Sequence, residues 1–345
     1  MAATDDGVPK GILLLNLGTP DSPKVRDVRR FLAEFLTDPL VIELPAPLRF
    51  LLVHGVILPF RPKRSAAAYE KIWTDRGSPL RYHGEDLAAK VEQQTGRKTA
   101  IGMRYGNPSV ASALESLTAA GVRAVHVVPL FPQYSEAAWV TVVETTKTAA
   151  QDLQLELEIE EPFFEHPGFL DASAALFREH TADFVPDRVL MSFHGLPETH
   201  IHRTDRSEEG RCLTDPSCCA AIEARNEYCY RAQCYATARG LASRLNLEEG
   251  AYDITFQSRL GRRPWIKPFT DERVRALARS GCKRLAVICP SFVADCLETT
   301  EEIGMAARAS FIEHGGEELT LVPCLNSDDR WVEAVASMVE EPVRA

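Results

Sequence analysis

The chain has 345 residues, 45% of them hydrophobic and 26% charged, with a formal net charge of −10. That length exceeds what a single hydrophobic core ordinarily serves and points to two domains. The composition is that of an ordinary globular protein, and the negative charge excludes a general nucleic-acid binder, which needs a basic footprint. The first ten residues carry two acids and no apolar core, so no signal peptide is expected. The longest apolar stretch, 44–60, holds three prolines, Arg49 and His54, and falls short of the ~20 clean apolar residues of a spanning helix. A cytoplasmic chain is expected, with its nine cysteines outside structural disulfides.

In chain order, apolar runs bounded by turn residues alternate with segments of helical spacing. Residues 11–17 predict a strand, and 25–36 a helix with Val28, Phe31, Leu32 and Phe35 on one face. Strands follow at 99–103, 124–130 and 155–159, with helices at 109–120, 136–153 and 168–184. The Pro186-Asp187 turn marks a boundary between halves 1–185 and 186–345. Beyond it lie strands at 189–194, 252–256, 285–289 and 319–322, and helices at 226–245, 271–280, 297–314 and 330–338. Such alternation predicts an α/β protein of two Rossmann-like domains, each a parallel sheet flanked by helices. There is no G-x-G-x-x-G and no Walker A loop, so a nucleotide cofactor is not indicated.

Unusual residues gather at the strand ends, where open α/β sheets bind ligands. His194 closes an apolar strand just before Gly195 and Pro197. It reads either as a core histidine bound to a backbone carbonyl or as a group that exchanges a proton near neutral pH. Leu17, Tyr105, Phe131, Tyr134, Trp265 and Phe292 also lie at strand ends and together suit a flat aromatic cleft. Glu298, Glu301 and Glu302 share one side of a helix start. They read either as dipole-compensating acids or, if Glu298 opposes His194, as a ladder suited to a divalent cation or to proton removal.

Five cysteines, Cys212, Cys218, Cys219, Cys229 and Cys234, fall in one insert at about 203–234. So many thiols in so short a span suit a thiolate-bound metal, either Zn2+ or an iron–sulfur cluster. The spacing matches neither a C-x2-C zinc pair nor a plant-type ferredoxin. Cys229 sits at a predicted helix start, and Cys234 is rotated about 140° from it.

Several motifs, in order, resemble the ferrochelatase family: Leu15-Asn16-Leu17-Gly18, Phe131-Pro132-Gln133-Tyr134-Ser135, Phe193-His194-Gly195-Leu196-Pro197, Gln257-Ser258-Arg259-Leu260-Gly261 with Pro264-Trp265, and Leu297-Glu298-Thr299 with Glu302. The resemblance runs from about Gly11 to the last helix. It implies a porphyrin held between two Rossmann-like domains and insertion of Fe2+ into protoporphyrin IX to give haem, the terminal step of haem biosynthesis. It implies that His194 accepts protons or contacts the metal, and that Glu298 and Glu302 form an acidic path. Leu17, Arg104, Tyr105, Phe131, Trp265 and Phe292 are then the macrocycle contacts, with Arg104 suited to a propionate. The stretch 44–60 corresponds to an apolar lip over the porphyrin mouth and to peripheral membrane contact; its other reading is a buried packing element.

Some ferrochelatases carry a [2Fe–2S] cluster, which favours iron–sulfur here. In several, one ligand follows the Pro-Gln-Tyr-Ser motif and three lie near the C-terminus. Here Glu136 occupies the first position and no Cys lies beyond Cys324. The insert must then supply all four ligands: Cys212, Cys218, Cys219 and Cys229, with Cys234 as the substitute. Cys296 stands where some members have His, and Leu17 where others have Met or Tyr, which favours protoporphyrin IX. The alternatives are a coproporphyrin III ferrochelatase, a cobalt or nickel chelatase, and a non-catalytic porphyrin-binding or iron–sulfur sensor on the same scaffold.

Overall fold

The computed structural model describes residues 8–207, 210–259, 261 and 263–340. Among them, eight strands form two four-stranded sheets. β1 (Lys10–Thr19), β2 (Thr99–Gly106), β3 (Ala124–Pro129) and β4 (Glu156–Ile159) pair in the order β2-β1-β3-β4. β5 (Arg188–His194), β6 (Tyr252–Gln257), β7 (Arg284–Ile288) and β8 (Glu318–Leu321) pair as β6-β5-β7-β8. Every pairing is parallel. This is the expected α/β architecture. The sheets belong to separate units, one built from the described residues of 1–130, 136–161 and 327–345, the other from 131–135 and 162–326. The C-terminal helix Asp329–Glu340 packs within the first unit, on the helix Pro79–Thr95.

The central strands are apolar because a parallel sheet is covered on both faces. Ile12, Leu13, Leu14 and Leu15 of β1 are fully buried, as are Leu190, Met191 and Phe193 of β5. Gly18 lets β1 run close to β2: its φ is +118°, and a Cβ there would lie 1.8 Å from the Tyr105 carbonyl oxygen.

Four helix readings change; one is the helix expected at 136–153, which opens with a π-helical stretch, Glu136–Val140, before the α-helix Thr141–Asp152. The helix Val25–Thr37 buries Val28, Phe31, Leu32 and Leu36, while Phe35 is only half-buried and turns its ring toward Tyr105. The helix expected from 226 begins at Tyr230, because Cys229 is extended and serves as its N-cap. The segment expected as one helix at 297–314 is α-helical at both ends, with a π-helical stretch, Thr300–Ala307, between. Two long helices, Leu58–Ile72 and Pro79–Thr95, were not anticipated; their charged sequences carry little apolar periodicity.

Residues 44–60 are not a buried packing element. They contain the short helix Ala46–Phe50, a π-helical stretch Leu51–Ile57 and the start of Leu58–Ile72. Leu48, Phe50, Leu51, Val56 and Phe60 are exposed, Phe60 by 78%. Among the described residues, no helix is long and apolar enough to cross a membrane.

Candidate active site

In each sheet the chain first adds a strand on one side of the central strand and then crosses to the other. The crossing falls between β1 and β3 in one unit and between β5 and β7 in the other. Such points open a crevice at the strand carboxyl ends. Leu17 lies in the last residues of β1 and Phe131 just beyond β3, while His194 ends β5 and Phe292 lies in the loop that follows β7. Leu17, Phe131, Phe292 and Trp265 are all half-buried.

His194 is the last residue of β5. Its Nδ1 lies 2.6 Å from the Gly195 carbonyl oxygen. A carbonyl only accepts, so Nδ1 carries the proton and the Nε2 lone pair is the ring's basic site. Burial pulls the imidazole below its ordinary pKa, against the opposing pull of the Glu298 carboxylate and the Gly195 carbonyl. The ring is therefore neutral at pH 7. The Phe292 ring stands edge-on to it, centroids 6.1 Å apart. Gly195 is required by close packing: a Cβ would meet the Gln257 carbonyl oxygen at 2.7 Å and the Trp265 ring at 3.2 Å. Trp265 is fixed in turn by a bridge to Pro197.

The acidic residues are placed by β6, by the short α-helical turn Leu297–Thr299 that carries Glu298 and by the π-helical stretch that carries Glu302. Gln257, at the end of β6, donates from Nε2 to the Glu298 carbonyl at 2.7 Å and accepts from Ser192 Oγ at 2.7 Å. Ser258 Oγ donates to Glu302 Oε2 at 2.5 Å. Ser258 has a φ of +65°, a conformation that costs a non-glycine residue and recurs at functional sites. A π-helical turn is wider than an α-turn and likewise recurs there. Glu298 and Glu302 are half-buried, and Cys296 is buried beside Glu298. Leu260, within the motif that places Ser258, lies outside the described residues.

In the first unit, Arg104 and Tyr105 are organised by Asp38, a residue without an obvious role in the sequence. Asp38 is buried and accepts from Arg104 Nη2 at 2.5 Å, Tyr105 Oη at 2.9 Å, Thr141 Oγ1 at 2.7 Å and the Leu40 N–H at 2.8 Å. Arg104 Nε also donates to Thr141 Oγ1 at 2.8 Å. Burial works to raise the Asp38 pKa, but these donors and the guanidinium outweigh it and hold the carboxyl below its ordinary range. Tyr105 is 1% exposed, and the Arg104 guanidinium lies over its ring at 4.6 Å. Tyr105 is therefore placed under Arg104 rather than as a free wall of a pocket.

The thiols of the Cys-rich segment meet in pairs. Cys212, Cys218, Cys219, Cys229 and Cys234 are all buried and free. Between the helices Glu198–Arg203 and Tyr230–Leu245 the described residues form neither helix nor strand, and turn hydrogen bonds, such as the Arg206 N–H to the Arg225 carbonyl, share the backbone with side-chain partners. Asp205 accepts from the Cys212 N–H at 2.8 Å, Asn226 Nδ2 donates to the Cys218 carbonyl at 2.9 Å, and Arg239 donates to the Cys219 carbonyl at 2.9 Å. Asp205 is held at about 2, burial notwithstanding, by donors on Ser207 and Cys212. Cys218 and Cys219 sulfurs are 3.7 Å apart; Cys219 also meets Cys229, and Cys229 meets Cys212. Arg231 Nη1 points at Cys219 Sγ from 3.1 Å. Hydrogen bonding to Cys229 and burial push the Cys219 thiol up, and contact with Cys212 and burial push Cys229 to about 12. Bound metal would displace those protons. Cys234 is buried beside Tyr230.

Of the residues that matter here, Asp38 carried no signal in the sequence. Gln257 and Ser258 stood inside a recognised motif without an assigned part.

The ferrochelatase family model matches residues 9–343. A ferrochelatase of Coxiella burnetii is 45% identical over 97% of this chain and 94% of its own length. One of Azotobacter vinelandii is 49% identical over 96% of this chain and 98% of its own. Among solved structures, a multi-domain protein from Deinococcus radiodurans, described as structurally similar to chelatases with two additional domains, aligns with a TM-score of 0.50 at 13% identity. That alignment covers 98% of this chain and 56% of the other, and it speaks for the fold alone. The chain belongs to the ferrochelatase family, a family of metal-chelating enzymes.

Proposed function

We propose that this chain inserts Fe2+ into protoporphyrin IX to form haem. The observation that carries the reading is His194: its Nδ1 is committed to the Gly195 carbonyl, leaving Nε2 to accept a proton beside the Glu298 carboxylate, and burial holds the imidazole below its ordinary pKa. Free-base porphyrin holds two pyrrole protons where the metal must sit. Metal entry forms four Fe–N bonds and releases two protons. His194 takes a proton at Nε2, and Glu298 and Glu302 line the route for iron or for the departing protons. Leu17, Phe131, Trp265 and Phe292 suit contact with a flat apolar disc. Arg104, held from below by Tyr105 and Asp38, suits a propionate. Strain of ~1–5 kcal/mol drawn from peripheral contacts is enough to pucker the ring toward metal entry.

The thiols suit a [2Fe–2S] cluster held by Cys212, Cys218, Cys219 and Cys229. Their contacts run as a chain, Cys218–Cys219–Cys229–Cys212, rather than closing on one point. Thiols that meet pairwise would supply thiolate ligands to two irons, whereas a single Zn2+ would need all four around one point. Such a cluster supplies a one-electron centre and a cross-link through the segment. The exposed apolar side chains of 48–60 suit the surface of a bilayer.

The test is anaerobic protein with Fe2+ and protoporphyrin IX, followed by loss of porphyrin fluorescence, with coproporphyrin III in parallel. Turnover of protoporphyrin, lost in His194→Ala, is the expected result. Turnover of coproporphyrin alone changes the substrate, and tight binding without turnover supports the sensor reading. Iron and acid-labile sulfide in the purified protein test the cluster; zinc without iron refutes it. Co-sedimentation with anionic vesicles, weakened in Phe60→Asp, tests the apolar segment.

A further inference from the structure

His194 ends β5, where ladder hydrogen bonds stop and the backbone needs other partners. Its N–H donates to Ser291 Oγ at 3.3 Å, Ser291 Oγ lies 2.9 Å from Tyr230 Oη, and Tyr230 Oη donates to the His194 carbonyl at 2.7 Å. With Ser291 donating to Tyr230, the three bonds close a ring of one consistent direction. Two hydroxyls thus hold both backbone groups of the histidine whose ring we assign as the base.

Tyr230 is buried, the first residue of the helix Tyr230–Leu245. Three and seven residues on, the same helix face carries Gln233 and Thr237. Gln233 Oε1 accepts from the Tyr134 N–H at 2.6 Å, and Thr237 Oγ1 accepts from Gln133 Nε2 at 3.0 Å. One helix face therefore fixes both His194 and the loop after β3. The residue before Tyr230 is Cys229, the N-cap of that helix and one of the thiols that meet in pairs. Buried Cys234 lies one turn further, against the Tyr230 side chain.

We propose that Tyr230 is a positioning residue for chelation: with Ser291 it clamps the His194 backbone, and through Cys229 it makes the pose of His194 depend on the state of the Cys-rich segment. This rests on the reading of His194 as the base. It adds a residue that touches neither porphyrin nor metal and joins two sites that the sequence keeps apart.

The test uses the intact, metal-loaded protein with 15N-labelled histidine. Tyr230→Phe is expected to keep its metal content and its KM for porphyrin, to lose about tenfold in kcat through misplacement of the base, and to shift the His194 ring resonances. Ser291→Ala is expected to show the same pattern more weakly. Cys229→Ser, or Cys212→Ser should the first fail to fold, is expected to move the same resonances. Unchanged kcat and resonances in Tyr230→Phe overturn the proposal. So does a loss of kcat, porphyrin affinity and thermal stability in step, which marks a merely structural tyrosine. His194 signals unmoved in the folded cysteine variant overturn the link to the segment. If His194→Ala turns over normally, the active-site reading fails separately, and the resonances in Tyr230→Phe still decide the clamp.

Discussion

Asp38→Asn isolates one charge in the network beneath Arg104. Asp38 Oδ2 receives Arg104, Tyr105 and Thr141, and Oδ1 receives the Leu40 N–H. Asparagine has one acceptor oxygen. Turned toward the three donors, it sets its own NH2 against the Leu40 N–H. A hydrogen bond to a charged group contributes about 1.5–3 kcal/mol and one between neutral groups about 1. The variant loses one such bond outright and the charge assistance on three. Arg104 keeps about a quarter of its side chain in solvent, which limits the cost of its unpaired charge. The sum is about 3 kcal/mol, or roughly 6–12 °C in Tm for a unit of this size. Asp38 titrates below its unfolded value, so its stabilisation is complete above the ordinary carboxylate range and fades as pH falls through the lower, folded-state pKa. Calorimetry of both proteins should show the widest gap near neutral pH and a narrowing gap below about pH 4. A gap under about 1 °C at pH 7, or one that widens in acid, refutes this account of the network.

Because burial lowers the pKa of His194 and its neutral form is the base, chelation should hold below the ordinary histidine midpoint of about 6.5 and fall only in more acid solution. A kcat/KM profile with its acid limb at or above that midpoint contradicts the assignment. Gly18→Ala sets a Cβ 1.8 Å from the Tyr105 carbonyl at a left-handed φ, so it should cost about 4 kcal/mol or more and is checked by Tm and soluble yield. Cys219→Ser should lose iron and visible colour while Cys282→Ser keeps both, since Cys282 is half-buried, donates to the Arg284 carbonyl and packs against the apolar core around Leu285; colour retained in Cys219→Ser removes that residue from the ligand set.

What the sequence makes legible follows from the range of the forces involved. β1 and β5 are readable because a strand buried on both faces must be continuously apolar, and His194 stands out because it breaks such a run. The helix Pro79–Thr95 is hidden because its buried stripe, Leu80, Gly84, Leu87, Ala88 and Val91, keeps helical spacing but fills two of its positions with Gly and Ala, which leaves a weak apolar signal. The polar parts of the site are hidden for a different reason. Asp38 meets Thr141 across 103 positions and Ser192 meets Gln257 across 65, and no local pattern records such a pairing. The cysteines mark the intermediate case. Their clustering is visible in one dimension, but which thiols touch depends on Asp205, Asn226 and Arg239 folding a segment that has no helix or strand of its own. Such a segment draws its order from turn hydrogen bonds and from side chains that reach its cysteines, so its shape should respond to whatever the thiols hold. The helix that begins at Tyr230 converts that response into a change at the end of β5. A ligand set read only as a list of cysteines omits this connection, and Tyr230 is where it can be broken without removing the base or a thiol.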